Sequence, residues 1–109
     1  MSRRSDQRLR DIVTAVDAID SHTTRGGLED GLVFDAVRVR LIEIGEAVKG
    51  IPASRLAGEA GLPWSSIARM RDVLTHHYFD TAHSIVQHTI DHDLPDLRAA
   101  VLRLLAQDA

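Results

Sequence analysis

Apolar side chains recur in this chain every three or four positions, and no stretch alternates them every second position. Leu9, Ile12, Val13, Val16 and Ile19 follow an i, i+3, i+4, i+7, i+10 pattern and predict an amphipathic helix from about Asp6 to Ser21. A strand would show its core face every second residue, so the pattern argues against sheets. After the break at "HTTRGGLED", Leu32, Val33, Ala36, Val37, Leu41, Ile44 and Val48 predict a second helix from about Gly31 to Lys49. Gly50 and Pro52 stop it. A shorter helix is expected from about Ala53 to Glu59. Pro63 then reads as the first-turn proline of a helix carrying Ile67, Met70, Val73 and Leu74 towards His76. Thr81 is the expected cap of a fifth segment with Ile85, Val86 and Ile90. Pro95 lies near the start of a last helix with Leu97, Val101, Leu102, Leu104 and Leu105. The expected fold is all-α, an antiparallel bundle of about five helices in a single domain spanning residues 1–109.

Composition narrows the function classes. Apolar residues make up 44% of the chain but aromatics only 4%, so the core must be aliphatic, which suits packed helices. There is no cysteine, which excludes a disulfide framework and fits a reducing cytoplasm. The start, "MSRRSDQRLR", is basic but runs into amphipathic sequence, so no signal peptide is visible. No apolar run approaches the roughly 18 residues of a membrane span. A net charge of -3 gives no global field for nucleic acid, so any such contact needs a local patch or an oligomer.

Two stretches carry candidate chemistry. In "ASRLAGEAGLPWSSIARM", Ala57, Gly61 and Ile67 have helix-turn-helix spacing, with Ser65, Ser66 and Arg69 as potential groove contacts. Pro63, Trp64 and the overall acidity weigh against that reading. In "ARMRDVLTHHYFD", Arg71 and Tyr78 share a helix face, whereas His76 is rotated about 140° from Arg71 unless the helix ends near it. A histidine and an arginine suffice for RNA cleavage without a metal. The imidazole shuttles protons near neutral pH, and the guanidinium stabilises charge on the phosphoryl oxygens. The competing reading pairs Arg71 with Asp72 or another carboxylate and leaves the histidines to cap a helix end. His88 and His92 lie one turn apart, but nothing at matching spacing completes a metal site. Glu43 and Glu46 either face a site together or pair with arginines such as Arg40.

"PWSSIARMRDVLTHHYFD" resembles the HepT family of HEPN-domain proteins, whose motif is Arg, four to six residues, His, one residue, Tyr: here Arg71, His76 and Tyr78. "DAVRVRLIEIGEAVKG" is similar to the family's helix with an Ile-Gly-Glu-Ala signature. "LPW" precedes the motif helix as in the family, and "DHDLPDLRAAVLRLL" is similar to its terminal segment. The resemblance implies a homodimeric HEPN-like bundle, the ribonuclease toxin of a bacterial toxin–antitoxin pair, with two motifs meeting in a cleft at the dimer interface. It implies that Arg71 binds the phosphate and His76 is the acid/base, with Asp72, His77, Glu46 and Arg40 as possible supporting residues and no metal. It further implies that an MntA-type nucleotidyltransferase antitoxin transfers AMP to Tyr78. ATP and magnesium would serve that partner, and this chain would need no cofactor. Three positions depart from the family pattern: Asp72 for a usual Asn, His77 for a common Asp, and Arg40 for a common Asn.

Overall fold

A computed structural model of the chain describes residues 3–76 and 79–107, and for residues 76 and 79–82 it describes the backbone alone. Among the described residues every regular element is helical: α1 (Arg3–Thr23), α2 (Gly31–Lys49), α3 (Ala53–Leu56), α4 (Trp64–His76), α5 (Phe79–His88) and α6 (Leu94–Ala106). A 3-10 turn, Ala57–Glu59, extends α3, and a π-turn, Thr89–Asp93, joins α5 to α6. None of the described helices is long and apolar enough to cross a membrane.

α1 buries the stripe that its periodicity marks, with Leu9, Ile12 and Ile19 fully inaccessible. It packs against α2 and α6, while α4 packs on another part of α2. Leu41, Ile44, Leu74, Leu97, Val101 and Leu104 fill the space between them. Each such side chain contributes roughly 1.5–3 kcal/mol through removal from water, so this aliphatic seam dominates stability.

Local signals explain most boundaries. The Asp30 side chain accepts a hydrogen bond from the Leu32 amide at 2.9 Å and caps α2. Gly50 ends α2 with φ of -86°, an ordinary right-handed value, so the stop comes from Pro52 and not from a left-handed glycine cap. The Pro63 carbonyl accepts from the Ile67 amide, which places Pro63 just ahead of α4.

Other expectations need correction. Leu32 is 83% exposed and Leu102 42%, whereas Phe34 takes the buried place on α2. The core side of each helix is an arc set by its neighbours, and these two leucines lie outside it. Thr81 does not cap a segment, because α5 starts earlier, at Phe79. No loop separates α5 from α6. The Leu94 amide bonds to the Thr89 carbonyl in π-fashion, and the helical run continues through Pro95, which has no amide to donate.

Polar groups stitch the ends together. Arg55 is buried, yet its Nη2 lies 2.7 Å from Asp6 Oδ1 and donates to the Leu104 carbonyl at 3.3 Å, linking α3 to α1 and α6. On the surface, Arg98 grips Asp17 and Arg103 grips Glu59. The bonded guanidinium lowers the carboxyl pKa in each pair.

Two predictions follow from these contacts. Arg55→Ala strands Asp6 and an α6 carbonyl in a dry site and should cost about 3 kcal/mol, read from denaturant midpoints. The second concerns acid. Asp17 and Glu59 have folded pKa values below their unfolded ones, so their contribution is complete above the ordinary carboxylate range and disappears as pH falls through the lowered folded values. An Arg98→Gln/Arg103→Gln variant should therefore match wild type more closely at pH 2–3 than at pH 7. A stability gap that stays constant across that range would contradict the assignment.

Candidate functional site

α4 reaches α2 at a position without a side chain. A Cβ placed on Gly45 would stand 3.2 Å from the Arg71 Cβ, the Arg71 amide nitrogen and the Ile67 carbonyl oxygen. Ordinary contacts are longer, so a Cβ here would push α4 back by a few tenths of an ångström, and two of the three atoms it meets are backbone. Seven residues earlier on the same face of α2, Arg38 Nη1 donates to the Leu74 carbonyl at 2.8 Å. Gly45 thus meets α4 at residues 67–71 while Arg38 meets it at 74, so the two helices run antiparallel.

This approach sets Arg71 over Glu46, with Arg71 Nε in direct ion-pair contact with Glu46 Oε1. Arg71 Nη1 also donates to Asp72 Oδ1 at 3.2 Å, and Lys49 Nζ lies 3.7 Å from Asp72 Oδ2. The side chains of Arg71, Glu46 and Asp72 are 42%, 48% and 52% exposed, so the cluster is held by its neighbours and still open to a solute. The expectation that Arg71 pairs with nearby carboxylates is met twice over. Such pairing leaves the phosphate-binding assignment open, because part of the guanidinium stays accessible.

Arg40 takes a different partner. Its Nη1 lies 2.9 Å from Glu43 Oε1, one turn along α2. Arg40, Glu43 and Glu46 nevertheless line one groove of about 270 Å³ between α2 and α1, opposite Arg8 and Asp11. The structure therefore joins Glu46 and Asp72 to Arg71 directly and places Arg40 in the adjoining groove. The structure describes α4 as far as His76, and the His76 side chain and the whole of His77 and Tyr78 lie outside the described residues, as does the expected convergence of His76 with Arg71.

Two positioning residues escaped the sequence reading. Arg38 holds the carbonyl of Leu74, in the last described turn of α4. His83 stacks on Phe34 with ring centroids 3.8 Å apart and planes 2° from parallel, and its Nε2 donates to the Leu28 carbonyl at 3.1 Å. The available signal was that Phe34, Arg38 and Gly45 share one face of α2.

The other candidates are structural or remote. The rings of His88 and His92 lie 4.6 Å apart on an exposed face. Among the described residues no group of three or more His, Asp or Glu could hold a metal ion. In the helix-turn-helix candidate, α3 is one α-turn plus a 3-10 turn, and a Cβ on Gly61 would meet nothing within 4 Å. Trp64 Nε1 donates to the Glu59 carbonyl at 2.9 Å and ties the start of α4 to that turn.

Gly45→Ala is the direct test of the close approach. Alanine gains about 1 kcal/mol of helix propensity over glycine, while overpacking against backbone costs about 1–3 kcal/mol. Gly45→Ala should therefore lower stability. Gly31→Ala, where a Cβ meets nothing within 4 Å, should leave it unchanged or raise it. Equal effects at the two positions would show that α4 has room to move.

A family model described as "Ribonuclease HepT-like" matches residues 7–104. A protein named "Probable ribonuclease HepT" from Thermococcus cleftensis is 33% identical over 108 residues, covering 95% of this chain and 98% of that protein. A protein named "Putative RNase" from Caldanaerobacter subterraneus subsp. tengcongensis is 39% identical over 71 residues, 64% of this chain and 63% of its own length. Another so named, from Methanocaldococcus jannaschii, is 32% identical over 90 residues, 83% of this chain and 72% of its own length. No solved structure matches the chain. With its Arg71 seated on the Gly45-Glu46 step of α2, the chain belongs to the HepT-like ribonuclease family.

Proposed function

We propose that the chain is the toxin of a bacterial type VII toxin–antitoxin pair, a metal-independent endoribonuclease acting on cytoplasmic RNA. The observation that carries this reading is Arg71, positioned by backbone packing near the end of α4 and still 42% exposed, in a chain of a ribonuclease family. Arg71 binds the scissile phosphate and stabilises charge on its non-bridging oxygens in the transition state. His76, five residues on, is the acid/base. The ribose 2′-oxygen loses its proton and attacks phosphorus, the bond to the 5′-oxygen breaks, and that oxygen is protonated as it leaves. The products are a 2′,3′-cyclic phosphate and a free 5′-hydroxyl. Two copies form the working unit, which brings two Arg71 groups to one cleft and raises its local positive potential.

Silencing falls to Tyr78. A minimal nucleotidyltransferase antitoxin, using ATP and magnesium, directs the Tyr78 phenol oxygen onto the α-phosphorus, and pyrophosphate leaves. The AMP that remains adds bulk and negative charge beside Arg71 and repels RNA. One observation favours a second reading, in which the chain only docks the nucleotidyltransferase: Arg71 already has Glu46 and Asp72 as partners, so an incoming phosphate must compete with both.

Cleavage of total RNA in EDTA separates the two. Unmodified wild type should cut, whereas Arg71→Ala, His76→Ala and the Tyr78-AMP form should each lose at least about a hundredfold, the scale of one acid/base or oxyanion contact. A folded wild-type protein that accepts AMP but cuts nothing would leave only the docking reading.

A further inference from the structure

The neighbourhood of Arg71 is electrically balanced, and that raises the question of what holds a polyanion. Arg71 and Lys49 face Glu46 and Asp72, and the chain carries a net charge of -3. Cations elsewhere are mostly committed: Arg40, Arg55, Arg98 and Arg103 to carboxylates, and Arg38 to a carbonyl. Among the described residues, six arginines have no such partner: Arg25 in the turn after α1, Arg69 on α4, and Arg3, Arg4, Arg8 and Arg10, which alone gather, in the first turns of α1; all six are exposed.

Three of the four in α1 line one surface. Arg3, Arg4 and Arg8 border a hollow of about 550 Å³ together with Gln7 and Asp11. Of the acids there, Asp6 is paired with buried Arg55, which leaves Asp11 as the one carboxylate against three arginines in the lining. Arg8 also borders the α1–α2 groove that contains Glu46, the partner of Arg71. A Cβ on Gly50 would lie 3.0 Å from Arg8 Nε, so the Arg8 side chain lies across the end of α2, one turn from Glu46. The positive end of the α1 dipole adds to the same patch. A lipid surface fits poorly, because the apolar face of α1 is spent on the core.

Building on the ribonuclease reading above, we infer that Arg3, Arg4 and Arg8 form a phosphate-binding track that holds the RNA backbone away from the scissile bond and leads it along the α1–α2 groove to Arg71. The track supplies affinity for long RNA, and Arg71 acts at the single phosphate being cut.

The test uses the full-length protein and a fluorescein-labelled single-stranded RNA, with anisotropy measured against salt. Each phosphate contact on single-stranded RNA contributes about 0.7 to the slope of log affinity against log salt. Arg3→Gln/Arg4→Gln/Arg8→Gln should flatten that slope by about 2 and weaken binding about a hundredfold at 0.1 M salt. Arg3→Gln/Arg4→Gln, which leaves the Arg8–Gly50 contact alone, should show about two-thirds of the slope change. Arg25→Gln, roughly 30 Å away at the far end of α1, should change little. The triple variant should cleave a dinucleotide, with its one phosphate, as fast as wild type. An unchanged slope in a folded triple variant overturns the track and leaves the ribonuclease reading standing. So does an equal loss per charge in Arg25→Gln, or wild-type binding to phosphatidylserine vesicles that matches binding to RNA. Wild type that neither binds nor cuts RNA overturns both.

Discussion

The contact between α2 and α4 at Gly45 is the constraint on which the site depends. Arg71 is held there by two surface ion pairs, each worth about 0–1 kcal/mol, too little to fix a long side chain against its own freedom. The larger energy lies beneath. Ile67, Met70 and Leu74 on the same helix are 6%, 7% and 2% exposed, and burying each contributes roughly 1.5–3 kcal/mol. Packing therefore places the Arg71 backbone, and the ion pairs choose among its rotamers. The Gly45-Glu46 step does both jobs in adjacent residues: the first admits the helix and the second receives its guanidinium.

The charge arrangement gives Asp72 a physical role. Where the family resemblance leads one to expect an amide, this chain has a second carboxylate beside Arg71, and that would tip the cluster towards acidity. The only lysine in the sequence, Lys49, stands 3.7 Å from that carboxylate and offsets it. Lys49 also closes α2, where a cation interacts favourably with the helix dipole. The cluster is thus self-compensated, which preserves fold and site in the absence of a ligand. Neutrality has a consequence for substrate capture, because a balanced site cannot attract a polyanion over distance, whereas an unpaired basic helix end can.

Periodicity made α1, α2 and α6 legible in the sequence, because a helix with one neighbour-facing stripe shows its period directly. It erred where the neighbours decide the arc. Leu32 and Phe34 are two residues apart and both apolar, but Phe34 lies on the buried stripe of Val37, Leu41 and Ile44 and also receives the ring of His83, whereas Leu32 faces outward. Thr81 looked like a cap because Ser and Thr favour that position, yet α5 had already begun. The π-turn at Thr89–Asp93 left no trace beyond Pro95, since a π-type bond costs one extra residue and changes no composition. The four signatures of the resemblance included Gly45 and Arg71, but nothing in the sequence said that one sits on the other. Buried Arg55 was invisible for the opposite reason: its charge reads as surface, and its partners lie 49 residues apart from each side's local pattern.

The residues of α2 that grip other helices share one line. Phe34, Arg38 and Gly45 are four and seven residues apart, within about 40° of one another on the helix. Phe34 takes the ring of His83 from α5, Arg38 takes the Leu74 carbonyl near the end of α4, and Gly45 takes the backbone at Arg71. Both helices that flank positions 77 and 78 are thereby fixed to one rigid rod, on either side of the motif. A side chain that acts on a bound group must be held to a fraction of an ångström, and the surface ion pairs of a long, exposed arginine cannot achieve that alone. Here α2 supplies the common frame. It sets the origin of Arg71 through Gly45 and holds the last described turn of α4 through Arg38, so Arg71 and that turn are referred to the same helix.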